Sequence, residues 1–260
     1  MAQIGVAFVK ATQLLEKTTI PVTPAGLRWD RDFCLLEENG QAVSPANHSQ
    51  FIPLRFDYDE ASDRLILSMP DGEVIEGAAA GSGRPCELAV FGGRTVPLRE
   101  VEGPWAERLS AFAGRPIGLF RCEKAGGGID ILPITFVTTG SIRRLSRELA
   151  TDVDPARFRA GFVFDNLVEH EEDAWNGKLL RVGEVLLRVR SPVPRCLITG
   201  FDARTGERGL NVMQGLVRYR EKGGLPPEFK VDLSLPTFAS YAEVVTPGTV
   251  KVGDPVALAE

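Results

Sequence analysis

The segment SPVPRCLITGFDARTGER, residues 191–208, places one thiol, Cys196, directly after Arg195 and ahead of Thr199 and a turn at 202–206. Three chemistries are open to a thiol there: a buried apolar side chain, a nucleophile, or a soft ligand to a metal. A nucleophile needs a base, and the spacing of the two histidines, His48 and His170, supports no dyad. Arg195 favours the thiolate, the form that both a nucleophile and a ligand require. Cys34, Cys86 and Cys122 are widely separated and form no CxxC pair, which excludes a zinc ribbon and a disulfide scaffold.

Taken alone, Lys10, Arg31 and Arg159 read as surface charges. Asp202, ahead of Thr205 and Gly206, reads as a turn residue whose carboxylate satisfies local amides. Ser141 opens an amphipathic run and is either a simple cap or a hydroxyl beside amides that could meet an anion. Trp29 and Trp175 read as packing residues. The GGG at 126–128 is a loop and not a phosphate cradle, because no GK[ST] ending follows it.

These residues need a frame, and the sequence implies one rich in strands. FCLLEENGQAVS, RLILSMPDGEVIEG, CELAVFGGRTVPLREV and KLLRVGEVLLRVRSPV alternate apolar and polar residues, with turn signals at Asn39-Gly40, Asp71-Gly72 and Gly92-Gly93. Helical periodicity is confined to 103–114, 140–150 and 211–222. The class is therefore α+β and β-rich, with barrel-like sheets and a few helices. A glycine- and proline-rich stretch at 115–130 predicts a boundary, giving units 1–118 and 119–260.

Composition bounds the partners. The net charge of -5 argues against a general nucleic-acid binder. The N-terminal apolar stretch is interrupted by Lys10, and no later run is long enough for a membrane span. The expectation is a cytoplasmic, soluble protein.

Five segments in order resemble the MOSC superfamily, the β-barrel proteins related to the C-terminal domain of molybdenum cofactor sulfurase. They are GLRWDRDFCLLEENGQAVS, PITFVTTGSIRRL, RFRAGFVFDNLVEHEEDAWNGKLLRVGEVLLRV, the Cys196 segment and YAEVVTPGTVKVGDPVAL. The branch they resemble most is that of the mitochondrial amidoxime-reducing components and their bacterial relatives. The resemblance implies an N-terminal β-barrel module followed by a MOSC domain. It also implies a molybdenum cofactor (Mo-molybdopterin) and reduction of small N-hydroxylated substrates.

In that family the cysteine of this motif is the protein ligand to molybdenum, which makes Cys196 the implied metal ligand and catalytic residue. Lys10, Arg31, Arg159 and Arg195 become the implied grip on the pterin and phosphate, with Ser141, Thr199 and Asp202 as further pocket residues. Two positions depart from the family pattern. Ala11 stands where the family has a serine, and Ala160-Gly161 stand where it has Pro-Asn. Both changes remove polar side chains expected around the pterin. With four scattered cysteines, none after Cys196, and no dinucleotide fingerprint, the expected electron source is a separate electron-transfer protein. The alternative is a non-catalytic cofactor carrier, or a sulfur carrier using Cys196.

Overall fold

In a computed structural model of the chain, residues 1–90, 93–225, 227–229 and 233–259 are described. The expected hairpins form where the turn chemistry allows. Gly40 (φ 81°) and Gly72 (φ 92°) adopt the left-handed backbone that such turns require. The strand Arg64–Ser68 then pairs in register with Val74–Ala78, and Gly81–Val90 pairs with Arg94–Val101. Gly92, at the third predicted turn, lies outside the described residues.

The alternating runs assemble into four sheets among the described residues. The largest runs in the order Val256–Ala259, Leu179–Val182, Val185–Pro194, Leu235–Thr246, Ile134–Thr138, Phe162–Phe164, Gln3–Val6, Leu15–Lys17. Its first and last strands do not pair with each other, so the expected closure into a barrel is not seen. A four-stranded sheet holds Phe33–Glu37, Ile117–Cys122, Arg94–Val101 and Gly81–Val90. The boundary expected after residue 118 falls inside one of its strands, because Ile117–Cys122 hydrogen-bonds along its length with Phe33–Glu37. Chain order and sheet membership also part at the N-terminus, where Gln3–Val6 pairs with Phe162–Phe164. This crossing brings the Lys10 segment against residues from the middle of the chain, Gly128, Asp130 and Arg159.

Three helices flank the sheets: α1 (Trp105–Ala113), α2 (Thr139–Leu149) and α3 (Val212–Tyr219). Helix α1 buries Trp105 and Leu109 with Phe33, Phe51, Phe56 and Leu65. Helices α2 and α3 share a core of Leu145, Val212, Leu216 and Phe238 beside the large sheet. The third helix stops three residues before its expected end, since Arg220 turns to extended backbone (φ -95°, ψ 139°). No helix is long and apolar enough to cross a membrane among the described residues.

Candidate functional site

The long strand Val185–Pro194 delivers the Cys196 segment. Its register with Leu235–Thr246 shifts three times, and Arg195 is tied on by its amide to the carbonyl of Pro236 at 3.0 Å. Beyond the strand the alternation of faces continues for two residues. The Arg195 side chain turns inward and is 8% exposed, whereas Cys196 is exposed and leads into a short 3-10 turn, Leu197–Gly200. Thr199 is buried in that turn, where its hydroxyl donates to the Cys196 carbonyl at 3.1 Å.

Arg195 is clamped but not satisfied. Its Nε donates to the Phe238 carbonyl at 2.7 Å and its Nη1 to the Phe158 carbonyl at 3.1 Å, with the guanidinium 5.2 Å from the Phe158 ring centre. Its Nη2 is buried and has no partner among the described residues. Burial pulls this arginine down to about 10, against the pull of Tyr241 and Cys196, which favour the cation. A buried guanidinium donor without an acceptor is costly and implies a partner still to come.

The other cations converge on the same place. Arg31 Nη2 donates to the Arg159 carbonyl at 3.0 Å, and its Nη1 pairs with Asp30. Arg159 Nη2 donates to the Thr12 carbonyl at 2.7 Å. Burial, and next the like charge of Arg31, depress Arg159 to about 9. Lys10 donates to the Gly128 carbonyl at 2.7 Å and pairs with Asp130, while the Gly128 amide returns to the Arg31 carbonyl at 3.1 Å. Tyr241 lies within electrostatic reach of Arg195, Asp130, Cys196 and Arg31, and burial pushes its hydroxyl up to about 12. Lys10, Arg31 and Arg159 are therefore linked through the Gly128 and Arg159 backbone, with two paired carboxylates among them, and Arg195 holds the adjacent Phe158 carbonyl beside the exposed Cys196. The excess positive charge calls for an anion.

The backbone is strained at the same positions. Ala11 (φ 73°), Arg31 (φ 56°) and Arg159 (φ 51°) all sit in the left-handed region. Each costs about 1–2 kcal/mol relative to ordinary backbone, and such residues cluster where function imposes a geometry. The glycine loop has no amide left for a phosphate. Gly126, Gly127 and Gly128 donate respectively to the Asp32 carboxyl, the Lys124 carbonyl and the Arg31 carbonyl.

Two expected pocket residues lie elsewhere. Ser141 is not at the cation cluster, and it does not cap α2; the cap is Thr138, whose side chain accepts from the Ser141 amide. The Ser141 hydroxyl donates to buried Glu172 at 2.5 Å, and Thr138 donates to the other oxygen of that carboxyl at 2.9 Å. The anion at this helix start is therefore an internal one. Asp202 is consumed locally: Oδ1 accepts from the amides of Arg204 and Thr205, and Oδ2 accepts from Arg157 at 3.2 Å. Trp175 is core, and Trp29 packs edge-on against Tyr58 while donating to Glu60.

Sequence reasoning missed Tyr241, Asp130, Thr12 and Ser191. Tyr241 stands between Thr135 and Ser191 in the sheet register, and the Ser191 hydroxyl is buried without a partner. The alternating run at 237–246 was the available signal for Tyr241. Nothing local marks the other three.

The MOSC domain family model matches residues 127–257. The mouse (Mus musculus) mitochondrial amidoxime-reducing component 1 is 31% identical over 99% of this chain and 82% of its own length. Human (Homo sapiens) molybdenum cofactor sulfurase is 28% identical over 92% of this chain. The chain spans 31% of that sulfurase's length. The solved YuaD protein from Bacillus subtilis covers 98% of this chain and 91% of its own, with a TM-score of 0.44 at 9% identity. The match across the segment that carries Arg159, Arg195 and Cys196, together with the near full-length similarity to an amidoxime-reducing component, makes this chain a member of the MOSC domain family.

Proposed function

We propose that the protein binds a molybdenum cofactor at Cys196 and reduces small N-hydroxylated compounds with electrons from a separate redox protein. The observation that supports this reading is the unpartnered Nη2 of buried Arg195, which precedes the exposed Cys196 and holds the carbonyl next to the Arg31–Arg159 pair.

The residues present fit such a group. Cys196 offers a soft thiolate, which suits a metal already held by pterin sulfurs. Arg195 Nη2 is a donor waiting for an acceptor. Lys10 has three donors and uses two, so one remains for a phosphate oxygen. The like charges of Arg31 and Arg159 oppose each other, a cost that a nearby anion would offset. The side chains lost at Ala11 and Gly161 remove hydrogen bonds and leave these charges in place.

When bound, the cofactor supplies the two-electron centre that takes oxygen from an N–O bond. The overall change is R–NH–OH plus two electrons and two protons to R–NH2 plus water. The chain's own part is to hold, orient and neutralise. Tyr241 keeps its proton at neutral pH, so its hydroxyl acts as a donor at the edge of the site. Arg195, clamped through Phe158 and Phe238, fixes the approach of the strand end that presents Cys196.

The exposure of Cys196 favours a second reading, a carrier whose thiol passes sulfur or cofactor to another protein. Turnover of an amidoxime with an artificial electron donor separates the two. The reductase reading predicts turnover in the wild type and none above background in Cys196→Ser, with thermal stability unchanged within about 0.5 kcal/mol, as for other exposed positions. Cofactor-loaded wild type without turnover would establish the carrier instead.

A further inference from the structure

A second feature adjoins Cys196. The turn Leu197–Gly200 forms one wall of a groove of about 310 Å³, and the chain at 208–213 forms the other. Its lining is mixed: Leu197, Leu210, Val212 and Met213 are apolar, and Arg208, Asn211 and glycine backbone are polar. Leu197 is 58% exposed one residue from the thiol.

The polar groups of the groove are nearly all spent. The Gly200 carbonyl accepts from the amides of Gly209 and Leu210 and from Arg157. Asn211 caps α3, its Oδ1 accepting from the Gln214 amide at 3.1 Å. Arg208 remains, in no ion pair among the described residues, and no carboxylate lines the groove.

We propose that this groove, defined by Leu197, Met213 and Arg208, seats the body of the substrate and selects N-hydroxylated molecules that carry one apolar ring and an anionic group. The inference rests on the reductase reading of Cys196 and adds the substrate class. The volume lies at the small end of ligand pockets, which fits one ring and not a larger scaffold. The apolar side chains take the ring, and Arg208 takes the anion as a bidentate fork. Cys196 immediately precedes Leu197 at the start of the turn, so a molecule seated against Leu197 directs its N–O end toward the thiol.

The test reads binding independently of turnover. The chain has three methionines. Met213 lines the groove, Met69 lies in the core beneath α1, and Met1 packs against the core of the large sheet. With ¹³C-methyl methionine labelling, a benzamidoxime bearing a para-carboxylate is titrated against neutral benzamidoxime. The Met213 resonance, assigned with Met213→Leu, is expected to shift and saturate. The carboxylate compound should bind about fivefold more tightly, as one exposed ion pair allows. Arg208→Glu should abolish that preference and Arg208→Lys should keep part of it. An unmoved Met213 signal, or equal affinities that Arg208→Glu leaves unchanged, overturns the proposal. Saturable binding at Met213 without any reduction supports the groove and removes the reductase reading. Reduction without a Met213 shift does the reverse.

Discussion

Two buried polar clusters meet at Phe238, and they differ in how their charge is balanced. Phe238 offers its carbonyl to Arg195 on one side, and its ring meets His170 edge-on at 5.8 Å on the other. On the His170 side, the Glu172 carboxyl is closed off by Ser141 and Thr138, and the His170 amide completes the Ser141 hydroxyl at 3.0 Å. Both ring nitrogens of His170 are nevertheless buried without a partner among the described residues, and its backbone is left-handed (φ 55°). On the Arg195 side a guanidinium donor is also unpaired, but there cations outnumber carboxylates. The closed cluster, Thr138, Ser141 and Glu172, stabilises the start of a helix. The open one carries excess positive charge, and that imbalance, not the unpaired atom alone, separates it from a structural network.

The largest expected stability effect breaks the closed cluster. Glu172→Ala leaves the buried Ser141 hydroxyl without an acceptor, while Thr138 can still donate to Ser141 Oγ at 2.9 Å, and is expected to cost about 3 kcal/mol, the upper end for one buried unpaired group. Chemical denaturation measures it. Cofactor content per folded chain should not change, because Glu172 faces Ser141 and Thr138 and not the cations.

The next prediction concerns the floor of the open cluster. Asp32 accepts from Gly126 in the loop that receives Lys10, and burial pushes it up to about 6. An acid raised in the folded state contributes stability that is complete below its unfolded value of 3.8 and is lost as pH rises through 6. Between pH 4 and pH 7 this group should therefore remove about 3 kcal/mol of stability. Denaturation curves of Asp32→Asn, whose amide oxygen still accepts from Gly126, should lack that decline.

A smaller effect sharpens the contrast. Arg159→Leu is expected to weaken cofactor retention by about 2 kcal/mol, the worth of one charged hydrogen bond, or roughly thirtyfold. Apo-protein stability should move by less than that, since a partly buried, repelled charge is removed together with its bond to Thr12. If apo stability falls by more than occupancy does, Arg159 is a structural residue.

Much of this was legible in the sequence because it is local. The three helices follow from apolar spacing, and the hairpins at Gly40 and Gly72 follow from turn chemistry. Cys196 with Arg195 stood out through its residue types and its place after a strand. The convergence of Lys10, Arg31 and Arg159 came only from family resemblance, since Arg159 lies 128 residues beyond Arg31 and such a separation carries no signal. Tyr241 and Ser191 were hidden because cross-strand register, not sequence distance, makes them neighbours. Ser141 was misplaced because its partner, Glu172, lies 31 residues away and turns the helix start inward. The barrel expectation failed at a level that alternation does not encode: a period of two specifies faces, not which edges meet.

The central claim is that the open cluster is open for a molybdenum–pterin group. Its most direct test is the molybdenum and pterin content of wild-type protein purified from a host that makes the cofactor, measured beside Arg195→Leu. The account predicts close to one molybdenum and one pterin per wild-type chain, and strong depletion of both in a folded Arg195→Leu. Wild-type protein that carries neither, or an Arg195→Leu variant that retains both in full, would contradict it.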